Sequence, residues 1–390
     1  MHTDRLGAWL LDAGAAAASV DELALGFRDE LVSSGIPVGF FNVGMFVLHP
    51  EIAAVALSGS STGRLDRVIV EHAALSSPAF RTSPLRIVTE ERRALEFDLE
   101  DRAASTTFPV LEEFRSKGFV RYHAWPLPAR HGPCSILSLA LAKNDEQAVR
   151  AIERTLPLLS VVLELHAARY LKQILLRTYV GERSAREVLA GRFRRGDHQE
   201  LEAVLWLSDV RSFTDLTQHY PAADVVRWLD QVFDALAEPV QRGGGEILKF
   251  IGDAMLAIFP VDEIGGRAEA CAVALEAARE AQSRVRETAD RAEREGRPAL
   301  RTGIAMHLGD VVYGNVGAKN RLDFTVIGDA VNRVARIESV AREAPSGIVM
   351  SAEFVRHVSA FTESLGRFSL KGYDAPIDVY TLALDPPTKR

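Results

Sequence analysis

The sequence predicts an α+β protein of two domains joined by a helical connector, and three observations carry this prediction. Residues 1–148 combine strand-like apolar runs with amphipathic helical stretches, residues 149–198 have helical periodicity, and residues 199–390 alternate strands with helices again. The 390 residues, 47% of them hydrophobic and 25% charged, suit two folded domains.

The composition excludes several classes of protein. A net charge of −7 argues against nucleic acid as the main partner. No apolar run approaches the length of a membrane span, and the N-terminal segment is interrupted by Asp12 and lacks the basic start of a signal peptide. Cys134 and Cys271 lie in apolar surroundings, which predicts free buried thiols in a reducing compartment. We therefore expect a cytoplasmic protein without a transmembrane segment.

Residues 1–148 are expected to form an antiparallel sheet flanked by helices. Helices are predicted over Asp21–Ser34, which Ser19 caps, and over Leu65–Ala74 and Val110–Lys117. Strands are predicted over Gly39–Leu48, Ile52–Leu57, Leu85–Thr89, Phe119–Pro126 and Ser135–Ala142.

This pattern resembles a GAF-type sensory domain, although no cofactor-attachment motif is present. The resemblance implies an unknown small-molecule or protein signal at this domain, and a dimerisation scaffold is the alternative. Three of its histidines, His72, His123 and His131, lack the spacing of metal ligands.

The connector, residues 149–198, begins with a long helical stretch. Its apolar positions recur at intervals of three and four: Leu156, Leu159, Leu163, His166, Tyr170 and Ile174. This spacing favours a short coiled-coil seam, and an ordinary helix facing a domain core gives much the same pattern. The segment EVLAGRFRRGD, residues 187–197, then leads to the next strand.

The first candidate site segment is AVLWLSDVRSFTDLT, residues 203–217. An apolar strand ends near Asp209, and a helix is expected to start at Phe213 and Thr214. An acid at a strand end beside a helix N-terminus can hold a divalent cation, while the free backbone N–H groups there bind phosphate oxygens. A turn former or helix cap is the simpler interpretation of Asp209 taken alone.

A second acid, Asp253, lies in GGGEILKFIGDAMLAIF, residues 243–259. The segment reads as two strands joined by a turn at Gly252 and Asp253, and its apolar faces predict cover on both sides. Two such carboxylates on neighbouring strands suggest a two-metal site. Lys249 on the first strand needs a partner unless it snorkels from the sheet edge.

The third segment is RLDFTVIGDAVNRVARIES, residues 321–339. It predicts a strand over Asp323–Ile327, a turn at Gly328, and a helix capped by Asp329. Asn332 and Arg336 are four residues apart and therefore share one helix face.

The remaining elements of this half are predicted more simply. Residues 225–240 and Arg267–Glu295 read as helices, the second on the surface. Thr302–Leu308 and Val311–Asn315 read as a hairpin around Gly309 and Asp310. Glu363 is expected in a solvated loop and is not counted as a metal ligand.

Together the motifs LSDVRSFT, GGxxxKFIGDAMLAIF, DFTVIGDAVNRVARIE and SLKGYDAPIDVYTL, in this order, resemble the catalytic domain of the class III nucleotidyl cyclases. The resemblance covers about half of the chain and implies a ferredoxin-like mixed sheet with helices on one face. The implied reaction is attack of a ribose 3′-hydroxyl on the α-phosphorus of a nucleoside triphosphate, which gives a 3′,5′-cyclic nucleotide and pyrophosphate.

The resemblance also implies roles for particular residues. Asp209 and Asp253, with the carbonyl of Val210, would bind two divalent ions, Mg²⁺ or Mn²⁺. Asn332 would orient the ribose and Arg336 would neutralise charge on the pentacovalent phosphorus.

Lys371 matches a family lysine that contacts the terminal phosphates. In this family the metal ligands and the base-reading residues of one site come from different chains, so the resemblance implies a homodimer with two composite sites.

Base choice follows from hydrogen bonding at Lys249 and Thr325, seven residues before Asn332. Lysine only donates, so it suits the N1 acceptor of adenine and would leave the N1–H of guanine unpaired, at a cost of about 1–3 kcal/mol. The Thr325 hydroxyl accepts or donates, which softens the choice. The Lys/Thr pair resembles subclass IIIb, some members of which respond to bicarbonate.

The sequence thus predicts an adenylate cyclase acting on ATP and regulated by its N-terminal domain. One alternative is a guanylate cyclase or a cyclase of relaxed specificity. Another is a catalytically weak nucleotide-binding signalling protein, favoured only by Ser212, which stands where most relatives have glycine and would be strained at positive φ.

Overall fold

The computed structural model describes residues 2–47, 49–50, 52–128, 134–192, 194, 196–369, 372–373 and 375–383. The chain divides into two compact units, Met1–Leu175 and Leu176–Arg390. Each unit has its own sheet and its own hydrophobic cores.

The first unit is built on a six-stranded antiparallel sheet with the order β3-β2-β1-β6-β5-β4. Its strands are β1 Val38–Phe46, β2 Ile52–Ser60, β3 Asp66–Glu71, β4 Leu95–Asp98, β5 Arg121–Leu127 and β6 Ser135–Leu141. Its helices are α1 His2–Trp9, α2 Val20–Ser33, α3 Pro78–Arg81, α4 Pro84–Glu91, α5 Arg102–Ser105 and α6 Pro109–Ser116. As predicted, the Ser19 side chain caps α2 by accepting a hydrogen bond from the backbone N–H of Glu22 at 3.2 Å.

Two predicted elements of this unit have the wrong type. Residues predicted as a helix from Leu65 form β3, which pairs with β2 at the sheet edge, followed by a 3₁₀ turn, His72–Ser76. Residues predicted as a strand from Leu85 form α4, because Pro84 fixes a helical φ in the first turn and the Ser83 side chain accepts from the N–H of Leu85 at 3.2 Å.

The helix α7, Glu146–Val180, has 35 residues and packs several of the predicted seam positions into its own unit. Leu159, Leu163 and His166 are buried in the core of the first unit, and His166 Nε2 lies 2.9 Å from the carbonyl oxygen of Gly14. The seam prediction is therefore wrong for these positions, because a core-facing helix has the same three-four periodicity.

The second unit is built on a mixed eight-stranded sheet with the order β13-β14-β12-β10-β7-β9-β8, and β11 pairs with the far end of β10. Its strands are β7 His198–Val210, β8 Glu246–Ile251, β9 Ala254–Pro260, β10 Thr302–Ala318, β11 Arg321–Ile327, β12 Ile348–Ser351, β13 Thr362–Phe368 and β14 Ile377–Leu382. Its helices are α8 Glu182–Leu189, α9 Phe213–His219, α10 Ala222–Arg242, α11 Val261–Ile264, α12 Arg267–Arg294, α13 Asp329–Glu338 and α14 Ala352–Val355.

The sheet is mixed, as predicted, but helices cover both of its faces rather than one. Side chains alternate along β7, so that Trp206 packs into the core beneath α10 and α12 while Leu205 packs into the core beneath α13. The alanine-rich face of α12 is buried against α10, so this helix is not confined to the surface.

The strand β10 runs without interruption through Gly309 and Asp310, which contradicts the predicted hairpin. Both residues stay in register with β7, where Gly309 faces Ala203. A Cβ at Gly309 would lie 2.9 Å from the Cβ of Ala330 on α13. The glycine therefore allows close packing of the helix and does not form a turn.

Candidate active site

The two acids predicted to bind metal are brought together by strand register. Asp209 lies near the end of β7, opposite Ala254 in β9, and Asp253 occupies the turn between β8 and β9. Burial, then the charge of Asp253 and a hydrogen bond with it, raise the pKa of the Asp209 carboxyl to about 6. The two carboxylates therefore share one half-buried site of negative potential.

A third carboxyl, Glu338 at the end of α13, faces the same site and was not identified from the sequence. Burial and the charges of Asp209 and Asp253 raise the pKa of Glu338 to about 7, against the opposing effect of Arg211 and Arg342. In the sequence, Glu338 is distinguished only by its position two residues after Arg336, at the end of the predicted helix.

The segment that leads from Asp209 into α9 adopts an unusual backbone. Ser212 has φ 56° and ψ 30°, in the left-handed region, and α9 begins directly after it at Phe213, as predicted. Phe213 packs partly against the core and Thr214 is exposed. Serine is therefore held where glycine is the favoured residue.

Lys249 on β8 has a partner within the chain. Its ammonium forms an ion pair with the carboxylate of Asp323 on β11. Thr325 lies two residues further along the same strand. The expected cover of this hairpin holds along β9, which is buried from Met255 to Pro260, but not at the end of β8, where Phe250 and Ile251 are 51% and 54% exposed.

Asn332 and Arg336 both lie on α13 and are exposed. Gly328 occupies the N-cap position of this helix, and Asp329 is its first residue rather than its cap. The Asp329 carboxylate instead contacts Arg333 at 3.2 Å and accepts a hydrogen bond from the Tyr373 hydroxyl at 2.8 Å. The predicted cap is therefore wrong, because Gly328 alone has the backbone freedom needed at φ 152°.

Other predicted positions lie apart from this site or outside the description. Lys371 and His131 lie outside the described residues. Glu363 is exposed, as expected, but on β13 rather than in a loop. In the described ranges, no cluster of three His, Cys, Asp or Glu side chains is arranged to bind a metal ion.

A buried polar junction fixes α8 to the start of β8. The Glu246 carboxylate is 9% exposed and accepts hydrogen bonds from the backbone N–H groups of Arg183 at 3.1 Å and Ser184 at 3.3 Å, so it caps α8 from another element. The Arg183 guanidinium contacts Glu263 at 2.6 Å and lies over the ring of Tyr313. Burial is the main cause that raises the pKa of Glu246 to about 7.

Residues 197–383 match the family model of the adenylate and guanylate cyclase catalytic domain. Together with the motifs and their geometry, this match identifies the second half of the chain as a class III adenylate/guanylate cyclase catalytic domain. Domains of this family bind nucleotide substrates and act as dimers. Along the described part of the chain, none of the helices has the length and apolar character needed to cross a bilayer.

Curated relatives share about half of the chain. An uncharacterized protein of Mycobacterium tuberculosis strain CDC 1551 is 34% identical over 220 residues, which are 54% of this chain and 37% of that protein. An uncharacterized protein of strain H37Rv is 35% identical over 209 residues, with 51% and 37% coverage. The chain thus spans little more than a third of the length of these relatives.

Solved structures with similarity to the chain include both kinds of cyclase. The adenylyl cyclase CyaB of P. aeruginosa is 23% identical, with a TM-score of 0.45, and the match covers 49% of this chain and 97% of that chain. The guanylyl cyclase Cya2 is 26% identical, with a TM-score of 0.42 and coverage of 49% and 96%.

Proposed function

We propose that the protein is an adenylate cyclase that converts ATP to 3′,5′-cyclic AMP and pyrophosphate at composite sites of a homodimer. The observation that carries this proposal is the convergence of Asp209 and Asp253 in the cyclase catalytic domain. Lys249, which we propose contacts the base, lies on the same β8–β9 hairpin.

The donor set suits divalent cations. Burial and then the charge of Asp253 raise the pKa of Asp209, so a bound cation would relieve an unfavourable negative charge there. Hard oxygen donors are the ligands that Mg²⁺ and Mn²⁺ prefer. Asp209, Asp253 and the carbonyl of Val210 would hold two such ions. Bound there, the ions supply positive charge that favours ionisation of the ribose 3′-hydroxyl and neutralises the phosphates.

The remaining residues bind and orient the nucleotide. The exposed face of α13 presents Asn332 for the ribose and Arg336 for the charge that develops on the α-phosphorus. The 3′-hydroxyl loses its proton to solvent water as the bond between O3′ and the α-phosphorus forms. The bond from the α-phosphorus to the oxygen that bridges the α- and β-phosphates breaks, and pyrophosphate leaves with that oxygen. Lys249 and Asp253 are four residues apart, and we propose that they serve different sites of the dimer.

The first unit is proposed to be a GAF-like regulatory domain. Its support is the six-stranded antiparallel sheet with helices around it and the long helix α7 that follows it. A signal of unknown identity at this unit would set the rate of cyclisation.

Product analysis tests the proposal. Purified full-length protein is incubated with ATP or GTP, each with Mg²⁺ and with Mn²⁺, and cyclic nucleotides are quantified. Cyclic AMP well above cyclic GMP is expected. Cyclic GMP as the main product would instead indicate a guanylate cyclase, which the dual hydrogen bonding of Thr325 favours. No cyclic product from a dimer that binds ATP would leave a nucleotide-binding signalling protein.

A further inference from the structure

The outward face of β11 carries an ion pair beside the residue expected to read the base. Along this strand Phe324 and Val326 pack inward, so Asp323 and Thr325 project from the opposite face. The Lys249 ammonium meets this face at Asp323 and not at Thr325. Lys249 is 26% exposed and Asp323 is 57% exposed, so both remain open to a ligand.

We infer that Asp323, together with Lys249, reads the adenine base and that its carboxylate accepts a hydrogen bond from the 6-amino group. This inference rests on the proposed function. Successive same-face residues on a strand are about 7 Å apart, so Asp323 and Thr325 are separate anchor points on one surface.

The chemistry of the pair matches adenine. Adenine presents an acceptor at N1 beside the donor amino group at C6, and an ammonium beside a carboxylate presents a donor beside an acceptor. A carboxylate only accepts, whereas the Thr325 hydroxyl both accepts and donates and therefore distinguishes amino from carbonyl groups weakly. Asp323 thus supplies a group that can only accept a hydrogen bond, which Thr325 does not.

Guanine would meet the same pair in the opposite order. Its C6 position carries a carbonyl oxygen and its N1 carries a hydrogen, so a base bound with N1 toward Lys249 would place two donors together and an oxygen against the carboxylate. Selectivity for adenine is therefore assigned to both members of the ion pair.

The test removes each partner of the proposed hydrogen bond. Cyclisation of ATP and of purine riboside triphosphate, which lacks the 6-amino group, is measured for the wild-type protein, Asp323→Ala and Thr325→Val. Wild-type kcat/KM should be about tenfold or more lower for the analogue, since a hydrogen bond to a charged group is lost. Asp323→Ala should show the same loss with ATP and no further loss with the analogue, whereas Thr325→Val should keep the preference for ATP.

Two results would overturn the inference. Equal losses for both substrates in Asp323→Ala would mean that the carboxylate only positions Lys249, and a preference abolished by Thr325→Val alone would make Thr325 the reader. The matched control is Glu238→Ala, which breaks the exposed ion pair with Arg284 between α10 and α12 and should leave both rates unchanged.

Failure of the proposed function would be recognised separately. A wild-type protein that forms no cyclic product would refute the cyclase proposal, and the same variants and nucleotides would then be compared by calorimetric titration. Loss of the preference for ATP in Asp323→Ala would still support the inference, and an unchanged preference would contradict it.

Discussion

Replacement of Glu246 by glutamine should make the second unit more stable at high pH. The folded-state pKa of Glu246 is about 7 against an ordinary value of 4.5, because the carboxyl is buried. A raised pKa means that the carboxyl's contribution to folding is fully present below the ordinary pKa and is lost as the pH rises through about 7. The loss amounts to about 3 kcal/mol when the whole difference is titrated.

The glutamine variant should remove this pH dependence without removing the cap. Its side-chain oxygen can still accept from the N–H groups of Arg183 and Ser184, and it stays neutral at every pH. Relative to wild type, its free energy of unfolding should therefore increase by about 3 kcal/mol between about pH 5 and about pH 8.5.

The assay is urea unfolding of the full-length protein across this pH range, with a brief deuterium pulse at one fixed pH after equilibration. Mass spectrometry of peptides from β8 assigns the transition to the second unit. Glu363→Gln, at an exposed position of the same unit, is the control. A stability difference between Glu246→Gln and wild type that does not change with pH would refute the reasoning about burial.

Two further predictions concern the catalytic domain. Asp253→Ala and Asn332→Ala should each be inactive. An equal mixture that exchanges subunits should regain about a quarter of wild-type activity, because half of the dimers are heterodimers and each of these contains one intact site out of two. An inactive mixture with demonstrated heterodimers would contradict sites shared between chains. Ser212→Gly should raise the free energy of unfolding by up to about 1 kcal/mol, because glycine adopts the left-handed backbone without the steric cost that serine has there. Ser212→Ala is the control. An equal gain in both variants would show that loss of the hydroxyl, and not relief of the backbone, is responsible.

Local signals predicted much of the catalytic fold. The turn at Gly252 and Asp253 and the start of α9 at Phe213 were correct, because turn residues beside apolar runs specify both. Gly309 was misread as a turn because only the packing of Ala330 reveals why a glycine is needed there. The N-cap was predicted at Asp329 and not at Gly328 because aspartate and glycine are both favoured at N-caps, so the sequence alone does not choose between these neighbours.

The features of the site that the sequence did not predict depend on contacts between residues far apart in the chain. Lys249 and Asp323 are 74 residues apart, and Glu246 and Arg183 are 63 apart. Glu338 faces Asp209 only because α13 packs across β7 and β10. No periodicity in the sequence encodes such pairings, since they arise from the order of strands in the sheet.

The cap supplied by Glu246 also decides where an active fragment should begin. The family match starts at residue 197, downstream of α8. A fragment cut there would remove the two N–H donors of Arg183 and Ser184 and leave the Glu246 carboxylate beneath an empty groove. A catalytic fragment should therefore start before Gly181, so that it contains both α8 and the strand β8, whose residue Glu246 caps that helix.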